Sequence, residues 1–317
     1  MFMENWDVIV VGAGPAGLTA GIYAVRSGLK VLMFDEKLAG GNISNSPKVE
    51  NYPGFTEISG YELSERMVFQ CKTLGAVIHD VEPVEQVKLE GETKIIVTGN
   101  ATYQAKTVIF ATGSHHKNIG VKGEKEFNGR GVSYCGVCDG TFFKDKNVAV
   151  IGGGNSACTT AIYLSGLAKH VTIIHRKSSF RAEHKIILDA TSKPNVDVLW
   201  NTDVEEIKGD NQVKTITLKD SFTGKKTEFS VDAVFVQVGE VPNSEVAKVC
   251  GVETDDLGYI KISFRQETNI SGVYAAGDVT THPIKQIGTA VGQGITAALE
   301  AYNYIQNLSV KRTVLQS

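Results

Sequence analysis

The sequence predicts an α/β protein of two dinucleotide-binding domains, the second inserted into the first. Three observations carry that reading. A 30-residue unit recurs at an offset of 140 residues, as VIVVGAGPAGLTAGIYAVRSGLKVLMFDEK over 8–37 and VAVIGGGNSACTTAIYLSGLAKHVTIIHRK over 148–177, without a gap. A strand-rich return follows each copy, over residues 75–112 and 196–240. A strand and a helix, residues 273–279 and 286–298, follow the second copy yet complete the first domain. The 317 residues suffice for two ordinary domains, and 42% apolar with 21% charged residues is globular composition.

Each copy reads as an apolar strand, a glycine turn, a helix with small residues on its near face, and a second β-branched strand. That is the βαβ unit of a Rossmann-like domain. Gly12 and Gly152 make the tight turn out of the strand. Gly14 and Gly154 let the backbone approach a pyrophosphate at a helix N-terminus, and Gly17 and Ala157 let the helix pack on the strand. One such fingerprint is weak evidence, since glycine turns between strands and helices are common. Two in the same strand–turn–helix–strand context are strong.

The copies differ where the second strand ends. The first ends in Asp35-Glu36, and an acid there accepts hydrogen bonds from a ribose diol. The second ends in His175-Arg176-Lys177, with Arg181 four residues on, a basic cluster that attracts a 2′-phosphate. A solvated basic loop is the bland alternative, and alignment on Asp35 argues against it. The first site therefore reads as FAD, comprising Gly12, Gly14, Pro15, Ala16, Gly17, Asp35 and Glu36. The second reads as NADPH, comprising Gly152, Gly154, Asn155, Ser156, Ala157, His175, Arg176, Lys177 and Arg181.

In the returns, Ile95-Ile96-Val97 and Val108-Ile109-Phe110 are clear strand runs, the latter closed by Ala111-Thr112-Gly113. The strand from Val273 ends in Gly277-Asp278, an aspartate placed to hold a ribityl hydroxyl, though a plain turn aspartate reads equally well from this segment alone. The small residues of the following helix, from Gln286-Ile287, allow close approach to a flat ligand, and its N-terminus can stabilise negative charge on the flavin. These segments set the expected domains at 1–115 with 246–317 for FAD and 116–245 for NADPH, with crossings near 114–118 and 243–247. The polar tail after Asn307 is expected to fray.

Cys135-Gly136-Val137-Cys138-Asp139 lies fourteen residues before the second fingerprint, counted from Cys138 to Gly152. A Cys-x-x-Cys pair closes into a disulfide ring and reopens, storing two electrons, and a nucleotide fold beside it suggests their source. Half of a zinc site is the competing reading. It needs two more ligands at matching spacing, and His115-His116 has no second Cys-x-x-Cys to accompany it, so no metal is expected. Five cysteines cannot all pair, and Cys71, Cys158 and Cys250 are isolated, which favours a cytoplasmic protein. A net charge of −3 argues against nucleic acid, and no basic leader or bilayer-spanning apolar run is present.

Taken together these residues resemble the low-molecular-weight thioredoxin reductases. The resemblance runs from about residue 6 to about 305, through Gly12-x-Gly14-x-x-Gly17, Gly40-Gly41, Glu50-Asn51-Tyr52-Pro53-Gly54 and Ala111-Thr112-Gly113. It continues through Cys135-x-x-Cys138-Asp139-Gly140, Gly152-Gly153-Gly154-Asn155-Ser156-Ala157, the His175–Glu183 segment and Gly277-Asp278-Val279. The resemblance implies a homodimer with one FAD and one redox disulfide per subunit, passing electrons from NADPH through FAD and the disulfide to thioredoxin. It makes Cys138 the thiol nearest the flavin, Cys135 the thiol that attacks thioredoxin, and Asp139 the proton donor and acceptor. It places Gly41, Asn51, Gln286 and Ile287 on the flavin side, and it implies rotation of the inserted domain about the two crossings.

The chain departs from the family pattern at Gly136-Val137 where Ala-Thr is common, at Asn42 where glutamine is usual, and at Lys285 where arginine is usual. Gly136 bears on the stiffness of the redox ring and on its potential, with no direction fixed by the sequence. A ferredoxin–NADP reductase of this fold would lack the cysteine pair, and a thiol oxidase would lack the NADPH fingerprint. A ferredoxin or deazaflavin donor is disfavoured by the basic cluster. Another disulfide partner in thioredoxin's place remains the alternative.

Overall fold

A computed structural model describes residues 4–46 and 49–316, with side chains as far as Leu308. The chain divides into two compact units, residues up to His115 with those from Val241 onward, and His116–Glu240. In the first, β1 (Glu4–Val11) leads through the glycine turn into α1 (Pro15–Arg26) and β2 (Val31–Phe34). Gly14 caps α1 in an extended conformation, and Pro15 opens it, where a missing N–H is harmless. Next come α2 (Gly60–Thr73), capped by the Ser59 side chain accepting from the Glu62 N–H, then β3 (Val77–His79), β4 (Val84–Lys88), β5 (Lys94–Thr98) and β6 (Thr102–Phe110).

After β7 (Ser114–His116) the second unit begins with β8 (Val132–Ser133) and a short helix α3 (Gly136–Asp139). The second glycine unit is β9 (Asn147–Gly152), α4 (Asn155–Ser165) and β10 (His170–His175). It continues with α5 (His184–Thr191), β11 (Val196–Trp200), the strands β12 (Thr202–Gly209), β13 (Val213–Asp220) and β14 (Lys226–Ser230), and β15 (Ala233–Gln237). The chain returns through β16 (Glu240–Pro242), α6 (Glu245–Val249), β17 (Val273–Ala275) and α7 (Ile287–Gln316).

The first sheet runs β3-β2-β1-β6-β5-β4, with β17 beside β6, and the second runs β11-β10-β9-β15-β8. The duplication holds to the register. Val8 faces Val31 in the first unit and Val148 faces Val171 in the second, each pair 140 residues from its counterpart. In both sheets the strand order reverses at the glycine-bearing strand, the position where such folds open a ligand crevice. The central stretches Val8–Val11, Val31–Phe34 and Val108–Phe110 are continuous apolar runs because both faces are covered. Val8, Val10 and Met33 pack under α1, α2 and α7, whereas Ile9, Leu32 and Phe110 pack on the other side.

Two expectations change. The return crossing falls at Val241 rather than 246, because Val241 and Pro242 belong to β16, which runs beside β7, and Asn243 locks onto Thr112 and His115. The tail after Asn307 does not fray at once, and α7 continues to Gln316 through a stretch without Gly or Pro to stop it. Helix α7 crosses α1 at Gly294, where a Cβ would run into the Ala16 carbonyl oxygen. Gly294→Ala should therefore separate the two helices and destabilise the first unit by about 1–3 kcal/mol. A lower denaturation midpoint, with the second unit's transition unmoved, checks this.

Candidate active site

The redox segment is built on the second unit. Cys135 and Cys138 form a disulfide with S–S 2.07 Å and Cα–Cα 5.3 Å. Cys135 caps α3 in an extended conformation, and the Cys138 N–H donates to its Sγ (3.2 Å). Two glycines seat this turn on α4. Gly136 lies so close that a Cβ would come within 2.6 Å of the Thr160 methyl, and one on Gly140 within 2.8 Å of Leu164. Gly136 thus lets the redox turn sit against Thr160 where a side chain would collide. From Asn155 to Thr160 is five residues, about 7.5 Å along the helix, so the disulfide and the second glycine turn share one rigid element.

Asp139 completes this part of the site. The Ser133 hydroxyl donates to its Oδ2 (2.7 Å), and Ser133 Oγ also accepts from the Cys135 N–H (3.1 Å). Burial holds the Asp139 carboxyl above the ordinary value of 3.8, while the Ser133 hydrogen bond pulls it back. The other thiols are excluded from such chemistry. Burial pushes Cys71 to about 11 and raises Cys158 and Cys250, so all three stay protonated and inert.

In the second glycine turn Gly154 caps α4 with no side-chain acceptor, and a Cβ there would meet only open space. The first helical N–H groups are left for a ligand. Asn155 and Glu183 hydrogen-bond reciprocally (2.8 and 3.2 Å), fixing the loop that carries the basic residues, while Ser156 is exposed and Ala157 buried. Arg176, Lys177 and Arg181 are exposed. His175 is separated from them. It is buried, and its imidazole lies against Gly153.

The first unit gathers its own set. Gly12 turns with φ +103° directly against Ala111 and Thr112, where any side chain would collide with backbone. A Cβ on Gly41 would fall 2.7 Å from the Gly14 Cα, and one on Gly277 would fall 2.9 Å from the Ala16 Cβ. The first glycine turn, the Gly40-Gly41 loop and the Gly277-Asp278 turn thus converge around the start of α1. Asp35 accepts from the Ala13 N–H (2.8 Å) and the Lys37 N–H (2.9 Å), yet burial raises its carboxyl above 3.8. Glu36 is exposed and pairs with Lys37. Asn51 Nδ2 donates to Gln286 Oε1 (3.2 Å), joining positions 235 apart in sequence beside Ile287 at the start of α7.

Four positioning residues escaped sequence reading. Gln293 accepts from the Gly277 N–H (2.6 Å), and Asn243 clasps Thr112 from both sides, accepting its hydroxyl (2.5 Å) and donating to its carbonyl (2.8 Å). Ser133 and Thr160 support the redox turn. The one legible signal was Gln293, a polar side chain amid the small residues of its helix. Among the described residues no group of three metal-ligating side chains gathers, and no helix is long and apolar enough to cross a membrane.

A fold of two nucleotide turns with a redox disulfide on the second defines a class of flavin- and nicotinamide-dependent disulfide reductases. A model of that class, the pyridine nucleotide-disulphide oxidoreductases, matches residues 6–294, and the chain belongs to this family. Among the relatives similar to this chain over nearly their full length are thioredoxin reductases. That of Bacillus subtilis (strain 168) is 44% identical over 306 residues, 96% of either chain. That of Listeria innocua is 42% identical over 306 residues, covering 96% of this chain and 95% of the relative. The crystal structure of thioredoxin reductase from Streptococcus pyogenes MGAS5005 matches with a TM-score of 0.92 at 38% identity, covering 96% of this chain and all of that one. The protein is an oxidoreductase, and its family implies a flavin and a pyridine nucleotide.

Because the folded pKa of Asp139 exceeds the unfolded 3.8, the protonated carboxyl contributes stability in full below that value, and the contribution is lost as the pH rises through the folded pKa. Asp139→Asn should flatten this slope, read from denaturation midpoints between about pH 4 and pH 7. Ser133→Ala should move the Asp139 titration to higher pH, followed by NMR of its carboxyl carbon.

Proposed function

We propose that the protein is a thioredoxin reductase in which the first unit holds FAD, the second holds NADPH, and the Cys135–Cys138 disulfide carries the electrons to thioredoxin. The observation that carries this reading is the seating of the redox ring on α4, whose uncapped start forms the second glycine turn. Both turns fit a pyrophosphate, with glycine caps, free helical N–H groups and open space at Gly154. In the first unit Gly12, Gly14, Pro15, Ala16 and Gly17 would cradle the FAD pyrophosphate, and Asp35 would accept from the ribose. Gly41, Asn51, Gly113, Asp278, Gln286 and Ile287 would border the rest of the cofactor. Arg176, Lys177 and Arg181 would take the NADPH 2′-phosphate. Bound flavin supplies two-electron chemistry between a reduced nicotinamide and a disulfide.

The chain's own residues do the remainder. Reduction opens the ring to two thiols. The Cys135 thiolate, steadied by the Cys138 N–H, attacks one sulfur of the thioredoxin disulfide, forming a mixed disulfide and releasing the other sulfur as a thiolate. Asp139, whose carboxyl burial raises above its ordinary value, would hand that thiolate a proton. Cys138, giving up its thiol proton, then attacks Cys135 Sγ, restoring the ring and expelling the second thioredoxin sulfur as a thiolate, which takes up that proton and leaves thioredoxin as a dithiol. The paired strands β7 and β16 would serve as hinges between the units. The reading extends to a cytoplasmic homodimer, with the three isolated thiols suited to a reducing compartment.

Anaerobic titration with NADPH tests the relay. One equivalent should produce two thiols per subunit before the flavin bleaches. Bleaching without new thiols would remove the disulfide from the path. Cys138→Ser should still allow flavin reduction but abolish thioredoxin turnover. Replacing Arg176 and Arg181 together with Ala should raise the NADPH KM by roughly 10- to 100-fold, the loss of one or two charge-assisted hydrogen bonds, and leave the NADH KM nearly unchanged. Equal loss with both nucleotides would refute the phosphate assignment.

A further inference from the structure

The repeat aligns His175 with Asp35 and Gly153 with Ala13, each 140 residues apart. In the first unit this pair is in contact, the Ala13 N–H donating to the Asp35 carboxylate. The residue ending the second strand thereby holds the middle of the glycine turn. In the second unit the same two positions touch again, by packing instead of a hydrogen bond. The His175 ring lies so close to Gly153 that a Cβ there would run into its Cε1, Nδ1 and Nε2 atoms. Nε2 is placed to donate to the Ser179 carbonyl (3.0 Å), in the loop between Lys177 and Arg181. Phe180 and Trp200 close over the ring, with centroids 5.5 and 6.0 Å away. The Arg181 N–H donates to the Gly153 carbonyl (2.7 Å), tying the same loop to the same turn.

We infer that His175 is a positioning residue that braces the glycine turn against the basic loop, and that it makes no direct contact with the 2′-phosphate. The ring is only 5% exposed, whereas Arg176, Lys177 and Arg181 stand in solvent. Burial lowers the imidazole pKa, the Ser179 hydrogen bond opposes this, and the charges of Arg181, Arg176 and Lys177 lower it further, while Nε2 is already engaged with the Ser179 carbonyl. Gly153 and His175 are a size-matched pair: the ring occupies the volume that a side chain at 153 would take. The consequence is mechanical. Arg176 acts on one phosphate, but His175 sets the turn that meets the pyrophosphate common to NADPH and NADH.

The inference rests on the second unit binding NADPH, and the test separates the two. Steady-state constants are measured with both nucleotides on the FAD-loaded protein for wild type, His175→Ala, His175→Phe and Arg176→Ala. A wild type that uses neither nucleotide overturns the proposed donor. If wild type uses NADPH, His175→Ala should raise the KM for NADPH and NADH by the same factor, about fivefold for one lost neutral hydrogen bond with its packing, with kcat near wild type. Arg176→Ala should raise the NADPH KM alone. His175→Phe keeps a ring against Gly153 and should recover most of the loss for both nucleotides, and it serves as the folded variant should the alanine protein fail to fold. A rise confined to NADPH in either His175 variant overturns the inference. In a double-mutant cycle, Gly153→Ala should weaken nucleotide binding less beside His175→Ala than in wild type, and additive effects would show that the two residues do not share that space.

Discussion

The contact between the redox turn and helix α4 places the disulfide on the element that begins at the second nucleotide turn, and it depends on backbone meeting side chain with no Cβ between them. Gly136 rests on Thr160 and Gly140 on Leu164. The same close approach recurs in the first unit, where Gly41 meets Gly14 and Gly277 meets Ala16. Such seats contribute little apolar area. They act through distance, since each brings a turn nearer to its neighbour than side chains would permit, and a packed helix then holds it there. Pre-organisation at both nucleotide turns follows from small residues more than from any network of charges.

The two units share one frame and differ in what was added to it. Their glycine strands pair with their second strands in the same register, and both sheets reverse order at the same strand. Beyond that frame they diverge. In the first, β5 stays in the main sheet antiparallel to β6, with β4 antiparallel to β5 beyond it, whereas in the second β12, β13 and β14 form a separate three-stranded sheet. That sheet covers one face of the second unit with Ile216 and Leu218, while α4 and α5 cover the other. An acid and an imidazole at one aligned position show how a duplicated scaffold reaches a common geometry by unlike forces.

Much of this was legible in the sequence because its signals are local. The glycine spacing, the strand–helix–strand order and the Cys-x-x-Cys pair each lie within a few dozen residues and depend on backbone geometry. What escaped was set by tertiary packing. That Gln293 would reach Gly277, that Asn243 would clasp Thr112, or that Thr160 would lie under Gly136 depends on elements that meet only after folding. The burial of His175 was hidden for the same reason. A histidine between a strand and two basic residues looks solvated until Phe180 and Trp200 close over it. The return crossing lies five residues before the expected boundary because Val241 and Pro242 join a strand by pairing with β7, a partner fixed only on folding.

The insertion of one unit within the other also bears on the order of events during synthesis. The second unit is continuous in sequence and is complete once Glu240 has left the ribosome. The first has by then made β1–β6 but lacks β17 and α7, so the face of α1 that α7 covers stands open to water. Domains form as units in the order their chain emerges, and the inserted one can finish while its host waits. Until α7 arrives, the unfinished host keeps part of its apolar core, Leu18 and Ala24 among it, without its last cover, the kind of surface through which incomplete chains associate.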